Sequence, residues 1–191
     1  LVENLGVNSQ VVNVEDIPEG AVVFEAENEK ELTAFLNKTF GGLNNVHTEL
    51  TIDANDLISE KELTATSQLA GTIIEDCSFE RKSTRIWGNI DVSWQVDLVT
   101  NYEVCLTLDY PDYGPPHLIY AEITSANAST GLSGITFGVN YTDTVADSTK
   151  INDQKWNSFA SGTVEYYLII DGLTKYFSDH VSGSHSVTVT Y

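Results

Sequence analysis

At 191 residues and 21.0 kDa the chain has room for one domain of β-sandwich size, or for a small domain beside a larger one. With 41% hydrophobic and 10% aromatic residues it can fill a core, which excludes wholesale disorder, and no stretch approaches the roughly 18 apolar residues of a membrane helix. Nine Lys and Arg against 28 Asp and Glu leave a net charge of −19, a surface that repels nucleic-acid phosphates and anionic bilayers.

Spread along the chain, those carboxylates predict a well-solvated monomer that binds no nucleic acid and inserts into no membrane. The chain begins at Leu1-Val2-Glu3 and contains no Met, as a processed product would, so the expected location is secreted or cell-surface with a signal peptide removed. Cys77 and Cys105, the two cysteines, fit one disulfide of an oxidising compartment. Three sequons, at Asn37, Asn127 and Asn140, carry no information. With 14 Asn and 36 Ser plus Thr, about three are expected by chance.

Residues 1–20 are polar and end in the turn signal Ile17-Pro18-Glu19-Gly20. A short strand is expected at Ala21-Val22-Val23-Phe24, then an amphipathic helix over 28–40. Asn28 is its N-cap and Glu31 completes a capping box; Leu32, Phe35, Leu36 and Phe40 form the apolar face, and Gly41-Gly42 ends it. A small strand–helix segment, 1–45, is thereby marked off from a β domain, 46–191, unless the two form one continuous domain over 1–191.

From Val46 the period changes to 2. Val46, Thr48, Leu50 and Ile52 alternate with His47, Glu49, Thr51 and Asp53, a half-buried strand. A further strand is expected within Leu69–Phe79. Even-numbered residues from Ile90 to Leu108 then hold one unbroken apolar phase. One strand over that span would be about 60 Å long, beyond ordinary strand lengths, so the favoured reading is a hairpin with Val99-Thr100-Asn101 as its loop. A bent strand crossing between sheets is the alternative. A Pro-rich loop at 109–116 precedes strands at Leu118–Thr124 and Ile135–Tyr141. Residues 142–161 read as a long polar excursion, Thr163–Ile170 as a central strand, and Val187, Val189 and Tyr191 as the last one. The fold class that follows is mainly β, an antiparallel sandwich or barrel with one N-terminal helix.

Catalytic signatures are missing. Gly131-Leu132-Ser133-Gly134 has the wrong spacing for a nucleophile elbow, and no phosphate loop, zinc-protease helix or paired Cys-x-x-Cys occurs. His180 and His185, near Asp179, read as exposed loop histidines rather than metal ligands. Asp53, Asn55 and Asp56, then Asp109 and Asp112, then Asp143 and Asp147 read as turn residues rather than calcium loops. No metal and no cofactor are expected. Trp87, Tyr110, Tyr113 and Trp156 fall off the apolar phase or in loops, where flat rings stack on sugars or anchor protein partners, while Trp94 is in phase with the core. The expected function is therefore an exported, non-catalytic binding or structural module whose partner is an extracellular or cell-surface protein or glycan. The alternatives are a carbohydrate-binding module using exposed aromatics and, behind it, a carboxylate-dependent glycan hydrolase. A Cys77–Cys105 bridge is expected too, with a bulge or strand edge to make it, because Cys105 is out of step with Val104 and Leu106.

Overall fold

A computed structural model describes residues 8–17, 24–26, 28, 30–31, 34, 46–59, 71–88, 94–112, 115–134, 139–170 and 173–191. Strands dominate: β1 (Asn8–Val11), β2 (Phe24–Ala26), β3 (Val46–Asp53), β4 (Thr72–Gly88), β5 (Trp94–Tyr110), β6 (His117–Gly134), β7 (Val139–Asn152), β8 (Lys155–Ile170) and β9 (Leu173–Thr190). One short helix, α1 (Ala54–Ser59), follows β3. The strands form two packed sheets, a β-sandwich.

The smaller sheet is the meander β4-β5-β6. The larger one is built on the β8–β9 hairpin: β7 and β2 share the outer edge of β8, and β3 and β1 share the outer edge of β9. It is mixed rather than purely antiparallel, since β2 runs parallel to β8 and β3 parallel to β9. β1 and β2, the described strands of residues 1–45, are thus hydrogen-bonded into the larger sheet. The expected helix over 28–40 is described only at Lys30, Glu31 and Ala34, all helical, and Asn28 Oδ1 accepts the Glu31 N–H at 3.0 Å, as an N-cap does. Its apolar face of Leu32, Phe35, Leu36 and Phe40 lies outside the described residues.

The even-numbered phase belongs to a single strand. β5 runs unbroken from Trp94 to Tyr110, and Val99, Thr100 and Asn101 pair with Ser83, Lys82 and Arg81 on one side and with Ser129, Ala128 and Asn127 on the other. The hairpin reading is therefore corrected. Usual strand lengths argue against a strand of about 56 Å, but here both neighbours are about as long, so the centre has ladder partners on both sides. The polar excursion is corrected too. Residues 139–152 and 155–170 form the β7–β8 hairpin, in which Asn152 Oδ1 accepts the Gln154 N–H at 2.9 Å to make the turn. β7 is an edge strand with solvent on its outer side, so its alternation is mostly polar on polar. The turn also ties the sheets together: Ile123 N–H donates to Asp153 O at 2.7 Å and Val189 N–H to Gln154 O at 2.9 Å.

Between the sheets lie two apolar clusters. One joins Ile86, Trp87, Val96 and Leu98 to Val139, Ala160, Val164, Tyr166 and Val181. The other joins Tyr102, Val104, Leu106 and Leu108 to Ala121, Ile123, Val187 and Val189, with Ala54 and Ile58 of α1 closing its end. Gly183 permits the closest approach of β9 to β4. A Cβ there would sit 2.3 Å from Ile86 Cγ2 and 3.3 Å from Val46 O, whereas a Cβ on Gly131 would meet nothing within 4 Å.

Candidate functional site

A concavity among the described residues lies at the end of the sandwich where three distant segments converge. Asn55 and Ile58 come from α1, Pro115 and Pro116 from the β5–β6 loop, His117 and Leu118 from the start of β6, and Tyr191 follows β9. They enclose a groove of about 420 Å³. Local chemistry explains each contribution. Asp53 Oδ1 accepts the Asn55 N–H at 2.9 Å, an Asx turn that starts α1 as β3 ends. The consecutive prolines cannot donate to a ladder, and β6 starts directly after them at His117. Tyr191, 55% exposed, lies against Tyr120 with ring centroids 5.6 Å apart at 72°, an edge-to-face pair.

Tyr120 is itself fixed by polar contacts. Its hydroxyl donates to Asp153 Oδ2 at 3.1 Å and accepts from Gln154 Nε2 at 2.9 Å. Lys150 Nζ reaches Asp153 Oδ1 at 2.8 Å, and this ammonium, together with the Tyr120 hydroxyl, holds the Asp153 carboxyl below the usual carboxylate range. The Tyr191 ring is therefore braced through Tyr120 to the β7–β8 turn. The groove offers an aromatic face, an amide, an imidazole and an apolar floor, groups suited to binding and orienting a small ligand.

The second unusual region is buried. A polar belt separates the two apolar clusters: Thr48 Oγ1 meets Thr84 Oγ1 at 2.8 Å, Thr84 meets His185 Nδ1 at 2.9 Å, and His185 Nε2 meets Thr100 Oγ1 at 3.0 Å. From Thr100 the chain continues to the Tyr102 hydroxyl, then to Ser158 at 3.1 Å and Ser148 at 2.9 Å. It crosses the sandwich from β3 to β7. Burial, with Lys82 and His47 nearby, lowers the pKa of His185 to about 4, so the imidazole is neutral and both ring nitrogens are used by hydroxyls. This corrects the reading of His185 as an exposed loop residue. It is fully buried in β9, and His180, exposed on the same strand, is not its neighbour.

Of the aromatic residues singled out from sequence, the described ones divide between the two clusters. Trp87 is in the first cluster at 2% exposure and offers no ring face to a ligand. A register shift between Arg85 and Trp87 turns it inward, so Ile86 and Trp87 are both buried although adjacent. Tyr110 and Trp156 are half-buried against the second cluster, and Trp156 Nε1 donates to Ile123 O at 2.9 Å. Tyr113 lies outside the described residues. Tyr191, missed among the candidates because it read only as the end of a strand, supplies the groove's ring; the neighbouring Pro115-Pro116-His117 run was the available signal.

Cys77 and Cys105 are disulfide-bonded, Cα atoms 4.0 Å apart, as direct partners in the β4–β5 ladder. No bulge is needed, because the register runs unshifted from Thr72 to Arg85. The phase argument failed on its premise: Ile73 and Phe79, in step with Cys77, point outward, so both cysteines belong to the outer face. Glu75 lies beside them, all ligand atoms within 4.8 Å, but with both sulfurs bonded to each other neither is a thiolate for a metal or a nucleophile. No helix among the described residues is long and apolar enough to cross a membrane. No protein-family model, curated protein or solved structure matches this chain.

Proposed function

We propose that this chain is an exported, non-catalytic binding module and that the groove between α1, the β5–β6 loop and Tyr191 is where it binds. The observation that carries this reading is the braced ring of Tyr191, exposed at the mouth of a groove that also presents the Asn55 amide and the His117 imidazole. Binding sites favour concave places where loops meet on a rigid scaffold, with a few polar groups over an apolar floor. The disulfide supports export, since such bridges persist in oxidising compartments. The net charge of −19 argues against nucleic acid as the ligand.

Within that reading a carbohydrate is the ligand class favoured. A flat ring stacks on the C–H face of a sugar while the amide and imidazole exchange hydrogen bonds with its hydroxyls. The groups available for this are ring, amide and imidazole rather than a facing pair of acids, which favours binding over glycan hydrolysis. An NMR titration of the labelled protein with neutral oligosaccharides tests the proposal. Shifts should concentrate at Asn55, His117, Leu118 and Tyr191, and Tyr191→Ala should abolish them without unfolding the protein. Shifts confined to another face would end the assignment of the groove, and turnover of the glycan would end the non-catalytic reading.

A further inference from the structure

β4 is an edge strand, and its composition differs from every other edge of the molecule. Among the described residues nothing pairs along its outer side. From Thr72 to Arg85 its ladder with β5 has no register shift, so the free edge is a long, regular row of backbone donors and acceptors. Regular edges of that kind pair readily with another strand, and proteins usually interrupt or cover them. The interruption here comes only at the bulge after Arg85.

Two further observations say what covers it. Phe79, in the middle of that run, is 76% exposed on the outer face, the most exposed large hydrophobic side chain among the described residues. Charge is also segregated about it. On the outer face Glu75 precedes Phe79, while Arg81 and Arg85 follow, and Arg85 Nε is a buried donor with no partner among the described residues. Arg81, Lys82 and Arg85 are three of the chain's nine basic residues. An outer face that is acidic before its midpoint and basic after it is complementary to itself in antiparallel orientation, the condition for a two-fold interface in which each patch meets its own copy.

We propose that two copies of this chain pair through β4, antiparallel about a two-fold axis at Phe79, joining two three-stranded sheets into one continuous sheet. In this register Phe79 faces Phe79 of the second copy. Glu75 falls opposite the second copy's Ser83, diagonally between its Arg81 and Arg85, within reach of both long side chains. The contact is made twice by symmetry. Elsewhere the strongly acidic surface repels its own copy, so β4 is where self-association costs least. The dimer departs from the monomer that net charge alone suggests.

Sedimentation equilibrium of the full chain tests the proposal, with the melting temperature recorded for each variant to confirm folding. The wild type should be dimeric at high protein concentration. Phe79→Asp and Glu75→Arg should each abolish the dimer, and the triple variant Glu75→Arg, Arg81→Glu, Arg85→Glu should restore it, because reversing every charge preserves the complementarity. A wild type that stays monomeric, a dimer that survives Phe79→Asp, or a triple variant that stays monomeric would each overturn the assignment.

Discussion

β4 and β5 are neighbours of equal length in one sheet, yet their side chains are distributed in opposite ways. On β5 the inward positions Val96, Leu98, Tyr102, Val104, Leu106 and Leu108 are sealed from solvent, with Thr100 between them bonded to His185. On β4 the positions opposite the same face include Asp76, Ser78, Glu80 and Lys82, all half-buried, while Ile73 and Phe79 face solvent. Position in the sandwich explains the contrast. A central strand has a sheet across from all of its inner face, whereas an edge strand is covered only where the facing sheet reaches it, as at Thr84 and Ile86 over β9. Alternation therefore reports burial only where a second layer is present.

Equivalent truncations on the two strands sharpen this comparison most. Leu106→Ala removes a side chain with no solvent exposure and should cost about 2–5 kcal/mol in chemical denaturation. Ile73→Ala, at a position 69% exposed, should cost less than about 0.5 kcal/mol in dilute solution. Similar losses for both would erase the distinction between the strands.

The disulfide stitches the two strands to each other. The double variant Cys77→Ser, Cys105→Ser should lose about 3.5 kcal/mol, the chain-entropy value for a separation of 28 residues. A loss below about 1 kcal/mol would mean that the bridge constrains the unfolded chain little.

The pH-dependent effect is expected at His185, where the polar belt interrupts the core. Its pKa is about 4 in the fold and about 6.5 when exposed, so between these values the unfolded chain binds more protons than the native one. Its contribution is present in full above pH 6.5 and is lost as pH falls toward 4, at most about 3 kcal/mol. The groups facing it, Lys82 on β4 and His47 on β3, act in the same direction. His185→Phe should lower stability at neutral pH, by leaving the Thr84 and Thr100 hydroxyls without the imidazole, and should flatten the acid limb relative to wild type. An unchanged slope between pH 4 and 6.5 would show that His185 is not the group responsible.

Much of the fold was legible where one face alone is buried. β3 alternates as its sequence does over Val46–Asp53, and Asn28 caps as its side chain suggested. Legibility failed where partners decide. The length of β5 depends on two equally long neighbours, the inward turn of Trp87 on a bulge, and the burial of His185 on hydroxyls from two other strands. Ser182, Gly183 and Ser184 look like loop residues beside His185, but the glycine is there so that Ile86 can approach. The groove was hidden for the same reason, since residues 55–58, 115–118 and 191 meet only after the sheets have packed.

That the sandwich is organised around one uninterrupted central strand is the claim on which the rest depends, and native-state hydrogen exchange followed by NMR tests it most directly. The amides of Val99, Thr100 and Asn101 should exchange only through global unfolding, as slowly as those of Val104 and Leu106, because both edges of β5 are hydrogen-bonded there. Fast exchange confined to Val99–Asn101 would place a turn in the middle of β5 and contradict the account.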